Sequence, residues 1–212
     1  MTSRDVDEDK RTTLRRFAAL GATLPVAGIG SSTTASADTS SKSDARDAIS
    51  GYINTTPGAH FSKIRDDLQL GTGETQYHLQ ELEKSEQISA QKDGDYKRYF
   101  IAGEFSDFEK TMLGYLRRET PRHMILTILE SPGLTGAALA DKIGVSAPTI
   151  SKYGSELSEN NIIARDDGYQ AKKPELTITL LLRYANSFDT ETVEFAQSAD
   201  DLLEYRLDTT KR

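Results

Sequence analysis

The sequence predicts a mainly α-helical chain with short β-hairpins, an α+β fold made of two tandem copies of one small unit. Three observations carry this expectation. Sliding the chain on itself from 57 to 132, an offset of 75, lays residues 57–88 on 132–163 without a gap, and Pro57-Gly58 falls on Pro132-Gly133. The apolar positions coincide in the same order: Ile64 with Leu139, Leu68 with Ile143, Leu70 with Val145, Leu82 with Leu157 and Ile88 with Ile163. Each copy then reaches an Asp-Gly pair, Asp93-Gly94 and Asp167-Gly168, between two short strand-like runs, a strong hairpin signal.

In the first copy, residues 44–54 form a helix with Ala48-Ile49 and Tyr52-Ile53 on one stripe, stopped by Thr56-Pro57-Gly58. Residues 61–68 make a short helix, with Phe61, Ile64 and Leu68 at i, i+3 and i+7. Leu70-Gly71-Thr72 is a tight turn, and Thr72 is the expected N-cap of a helix over 73–85 that buries Thr75, Leu79 and Leu82. Strands over 88–92 and 96–101 close the unit. Helix, helix, turn, helix and hairpin, in that order, make a winged helix-turn-helix.

The second copy reads alike: a helix over 122–130 with Met124, Ile125, Ile128 and Leu129, a break at Pro132-Gly133, and a short helix over 135–143. Gly144-Val145-Ser146 is the turn, and Ser146 caps a helix that opens with Ala147-Pro148, where proline is tolerated. That helix buries Ile150, Tyr153 or Gly154, and Leu157; strands follow over 162–165 and 169–172. The expected plan is an N-terminal segment (1–43), a first winged domain (44–103), a linker helix (104–121), a second winged domain (122–174) and C-terminal helices (175–212). The last of these cap the second domain or pair two chains into a homodimer.

Composition excludes several chemistries. The absence of cysteine removes disulfides, thiolate metal sites and thiol nucleophiles. His60, His78 and His123 are scattered without helical ligand spacing, so no metal and no cofactor is expected. No phosphate-cradling glycine loop or nucleophile–base pair stands out, and an enzyme is not expected. The net charge of −7 suits a salty cytoplasm but opposes a nucleic-acid role at the whole-chain level, since Lys and Arg supply most non-specific affinity. The local face decides that question.

Residues 1–43 stand apart. Arg15-Arg16 precedes the mild apolar run FAALGATLPVAGIG, and Ala35-Ser36-Ala37 has the A-x-A form of a cleavage site. The run is shorter than the ~20 residues a spanning helix needs. A disordered arm, a weak membrane association through residues 17–37 on the cytoplasmic side, and a twin-arginine-like export signal remain alternatives. A cytoplasmic body fits the domains that follow.

Pro57-Gly58-Ala59-His60-Phe61, Leu70 to Thr75, and Gln76-Tyr77-His78-Leu79 followed by Leu82 resemble archaeal winged-helix regulators of the broad ArsR/MarR-like class. In particular they resemble a halophilic archaeal group with two winged modules in one chain and an apolar N-terminal segment. The resemblance covers about residues 44–183. It implies DNA-binding transcription regulation. Gly154, where the first copy has Leu79, departs from the repeat and is expected to loosen the second recognition helix.

In such a fold the third helix enters the major groove of double-stranded DNA and the wing reaches the backbone. The expected contacts of the first copy are Thr72, Gly73, Gln76, Tyr77, Gln80 and Lys84 on the helix, with Lys92, Lys97 and Arg98 on the wing. Gln76 or Gln80 matches adenine edges, and Tyr77 a phosphate or thymine methyl. In the second copy they are Ser146, Thr149, Ser151 and Lys152, with Arg165, Lys172 and Lys173 on the wing. His78 is expected to pack inside. Glutamates on the first helix oppose phosphate gripping, which keeps a protein–protein adaptor as the rival function.

Overall fold

The computed structural model describes residues 37–209 with Arg16 and Phe17, and side chains from Asp44 to Ala199 beside those two. Apart from Arg16, Phe17 and the backbone from Ala37, the readings of residues 1–43 lie outside the described residues, as do the side chains of the last helix beyond Ala199. The chain divides between Ser106 and Asp107 into two compact units. Both are mainly helical, with small antiparallel sheets.

The first unit opens with α1 (Ala37–Thr55), followed by β1 (Ala59–His60), α2 (Phe61–Asp67), α3 (Thr72–Lys84), β2 (Ile88–Asp93) and β3 (Tyr96–Ile101). Ala45, Ala48, Ile49, Tyr52 and Ile53 line one face of α1, and they bury against Ile64, Leu68, Leu79 and Leu82. Full burial of one such aliphatic side chain contributes about 2 kcal/mol. The sheet runs β1-β3-β2, with Ala59 opposite Tyr99 and Ile88 opposite Ile101. Phe17 packs against this core, its ring edge-on to Tyr52 at 5.2 Å. The start of the apolar N-terminal run therefore lies on the first unit.

The cap of α3 differs from expectation. Gly71, extended at φ −68°, is the N-cap, and Thr72 is the first helical residue. The Glu74 carboxylate accepts from the Gly71 amide at 3.5 Å, and the Thr75 hydroxyl donates to the Gly71 carbonyl at 2.9 Å. A carboxylate at the third helical position thus reaches back to the cap amide, in place of a threonine cap accepting from the first turn.

The second unit begins with α4 (Asp107–Leu116) and α5 (Glu119–Glu130), so the segment read as a linker helix lies within it. Then come α6 (Gly136–Ile143), α7 (Ala147–Glu159), β4 (Ile163–Ala164), β5 (Gln170–Ala171), α8 (Pro174–Tyr184), a 3₁₀ turn (Ala185–Ser187) and α9 (Thr190–Thr209). Met124, Ile125, Ile128, Leu139, Ile150 and Leu157 are buried, joined by Met112 and Leu116 from α4 and by Ile178, Leu181 and Phe195 from the C-terminal helices.

The offset of 75 holds for the backbone as well. α3 begins at Thr72 and α7 at Ala147; the two helices end at Lys84 and Glu159; the following strands begin at Ile88 and Ile163. His60 caps α2 through Nδ1, and Thr135 caps α6 through its hydroxyl. The left-handed positions pair likewise: Gly58 with Gly133, Gln69 with Gly144, Glu86 with Asn161. Core hydrophobicity alone would not place these positive φ angles in register.

Gly154 does not leave α7 loose. A Cβ there would lie 2.7 Å from the Tyr169 hydroxyl oxygen and 2.8 Å from its Cε1. The ring of Tyr169, buried beside the second hairpin, fills the space that Leu79 occupies in the first unit. The glycine admits a long-range partner that periodicity does not reveal.

Asp189 joins α9 to α5. Its carboxylate accepts from Arg122, from the Thr192 amide at 3.0 Å and hydroxyl at 2.7 Å, and sits 2.8 Å from His123 Nε2. Burial pushes its titration up, but the bonds from Arg122, Thr192 and His123 together outweigh it and hold the group well below the ordinary carboxylate range. A depressed folded value makes the stabilisation complete above the unfolded titration near pH ~4 and lost progressively below it. Asp189→Asn is therefore expected to lower the urea midpoint at pH 7 and to narrow the gap between the pH 7 and pH 3 midpoints. An unchanged gap would remove Asp189 from the acid response.

Candidate nucleic-acid interface

In the first unit, α2, the turn at Gln69–Gly71 and α3 make a helix-turn-helix. Thr75, His78, Leu79 and Leu82 face the core, which turns Thr72, Gly73, Gln76, Tyr77, Gln80 and Lys84 to solvent. Tyr77 is 54% exposed, the most open of the large apolar side chains described, and its ring meets only the edge of the neighbouring His78 ring at 5.1 Å among the described ring contacts. Gln76 and Gln80 are one turn apart on the same face, which suits amide recognition of neighbouring bases. A groove of about 400 Å³ runs beside them, lined by Phe61, Leu79, Glu83, Lys97 and Tyr99 among others. Burial, and to a lesser extent the Glu83 charge, pushes the Tyr99 phenol up to about 12, so it stays neutral at the groove wall.

Three of the expected contact cations of this unit are occupied. Lys84 pairs with Glu81 at 2.8 Å and Lys97 with Glu83 at 2.8 Å. Arg98 is buried: its Nε pairs with Asp93, and its Nη1 donates to the Gly58 carbonyl at 2.9 Å. It is a strut between the hairpin and the Pro57-Gly58 loop and offers no surface to a ligand, which corrects its expected place among the contacts. Lys92 is exposed on β2. Tyr96, missed in the sequence, is 49% exposed beside the hairpin turn and stacks on His60 at 4.8 Å. Burial first, and then Arg98, hold the His60 imidazole below its ordinary titration. The signal for Tyr96 was available: an aromatic residue directly after an Asp-Gly turn has little core within reach.

The second unit shows the corresponding face without that pairing. The Ser146 hydroxyl caps α7 by accepting from the Thr149 amide at 3.3 Å and lies 2.8 Å from the Thr149 hydroxyl. Ser151 and Lys152 are exposed. Arg165 Nη1 donates to the Ser155 hydroxyl at 2.8 Å, tying the hairpin to α7. Lys172 Nζ donates to the Asn161 side chain at 3.0 Å, and Lys173 Nζ lies 4.0 Å above the Phe108 ring.

Among the described residues, His123, Asp189 and Glu191 bring ligand-type atoms within 4.8 Å of one another. Spacing along the chain had hidden this group, because the carboxylates come from far downstream. Arg122 already occupies the Asp189 carboxylate, so the cluster is an ion-pair joint between α5 and the start of α9. Among the described residues, no helix is long and apolar enough to cross a membrane.

Comparison with known proteins bears on part of the chain, including most of the described first unit. A family model described as an N-terminal HTH domain matches residues 43–113, 71 of the 212 residues. The first unit thus carries a helix-turn-helix domain. An uncharacterised HTH-type transcriptional regulator of Methanocaldococcus jannaschii is 31% identical over 117 residues, which is 55% of this chain and 29% of that protein. The chain therefore spans less than a third of that relative's length.

Proposed function

We propose that the chain is a DNA-binding transcription regulator with two tandem winged helix-turn-helix modules, α3 and α7 being the recognition helices. The observation that carries this reading is the outward row Gln76, Tyr77 and Gln80 on the second helix of a helix-turn-helix, exposed hydrogen-bonding and aromatic side chains. The similarity to an HTH-type transcriptional regulator supports it, and so does the backbone register between the units. The reading includes the ArsR/MarR-like class, a double-stranded DNA partner, and a cytoplasmic site of action. Thr72, Gly73 and Lys84 flank the base-reading row; Lys92 and Lys97 lie on the first wing. Ser146, Thr149, Ser151, Lys152, Arg165, Lys172 and Lys173 form the second face. Leu182, exposed on α8, supplies an apolar contact for a homodimer.

Selection from a random duplex pool with the full chain is expected to converge on a motif. The paired change Gln76→Ala, Tyr77→Ala is expected to reduce discrimination for that motif about tenfold or more, since a bidentate base contact is worth about 1–3 kcal/mol. Weak, salt-insensitive binding without enrichment would defeat the reading and favour a protein-binding adaptor.

A further inference from the structure

We infer that the two faces divide the work: the α7 face of the second unit supplies the main grip on DNA phosphates, while Lys84 and Lys97 of the first unit are held back by its own carboxylates, leaving Lys92 as that face's exposed cation. This rests on the regulator reading above and assigns the electrostatic term within it.

The contrast is residue by residue along the offset of 75. Glu74 on α3 corresponds to Thr149 on α7, Tyr77 to Lys152, and Glu83 to Ser158. In the first unit, Lys84 is neutralised by Glu81 and Lys97 by Glu83, both at 2.8 Å. A phosphate approaching Lys97 must break that pair and leave a free carboxylate beside itself. In the second unit, the oxygens that Arg165 and Lys172 meet are neutral, those of Ser155 and Asn161, and Arg165 also lies 6.0 Å from the Tyr169 ring. Lys152 is exposed with its ammonium 5.2 Å from the Tyr153 ring. These cations meet a phosphate without first losing an ionic partner. Of the acids on α7, Glu156 is half-buried and pairs with Arg118 at 3.6 Å. Glu159 lies at the C-terminal end, away from the turns that enter the groove.

Counterion release gives the division a direct readout, because each phosphate neutralised adds about 0.9 to the slope of log affinity against log salt. The full chain is titrated with a random duplex at several salt concentrations, unaltered and in two variants, with folding checked by circular dichroism. Lys152→Ala with Arg165→Ala is expected to reduce the slope by about 2. Glu81→Gln with Glu83→Gln is expected to release Lys84 and Lys97, steepening the slope by at least ~1 and tightening binding at low salt. A slope that barely moves in the first variant, or fails to steepen in the second, overturns the division while leaving the regulator reading intact. An unaltered chain with no salt-dependent binding overturns both.

Discussion

Gly168→Ala is expected to destabilise the second unit by about 3 kcal/mol or more. Two costs add. Gly168 sits at φ +82°, where a side chain costs about 1–2 kcal/mol. A Cβ there would also lie 2.3 Å from the carbonyl oxygen of Gly133 and 2.6 Å from its carbonyl carbon. That obstacle is backbone, and no rotamer change relieves it. Two hydrogen bonds hold the crossing in place: the Gly133 amide donates to the Tyr169 carbonyl and the Tyr169 amide to the Leu134 carbonyl, each at 2.9 Å. Gly94 occupies the same Asp-Gly turn in the first unit at φ +59°, but its Cβ would meet nothing within 4 Å. Gly94→Ala should therefore cost only the conformational part, about 1 kcal/mol. Urea unfolding followed by circular dichroism compares the two variants. Equal midpoint shifts would show that the Gly133–Gly168 crossing yields easily.

The second large effect is expected at Arg98, a cation on the first hairpin, where the sequence predicts DNA contacts. Arg98→Ala removes one partner of a buried ion pair and the donor to the Gly58 carbonyl, a change that costs about 3–5 kcal/mol. The damage lies in the Asp93 carboxylate and a carbonyl left in low dielectric. Arg98→Ala with Asp93→Ala should consequently lose less than Arg98→Ala alone. Lys97→Ala, one residue away on the exposed side, should cost under about 0.5 kcal/mol. A double variant no better than the single would mean that the pair is not the source of the loss.

These two sites show where the sequence was informative and where it was not. Periodicity placed α3 and α7 within a residue or so, because their buried stripes are local and their caps lie next to them in the chain. The repeat was legible because Pro-Gly, Asp-Gly and the aliphatic positions recur in order. What escaped depends on distant partners. Arg98 looks like any surface cation until Gly58, 40 residues earlier, is seen to need its donor. Gly154 looked like a defect until Tyr169 was found across from it. The glutamates of α3 are plain in the sequence, but their presence does not show that Glu83 reaches back to Lys97 on the hairpin. Charge on a helix is readable; its pairing across elements is not.

The two hairpins also differ in mechanical freedom. The first has six-residue strands on both sides of Gly94, and that turn is clear of other atoms. The second has two-residue strands, with its turn pressed onto the Gly133 loop and Arg165 fastened to α7. One arm bends at its tip at little cost, whereas the other moves only with the body that carries it. A duplex whose groove width varies with sequence would be followed by the first arm and filtered by the second. On the proposed reading, tolerance to groove shape and selection for it fall to different hairpins of one polypeptide.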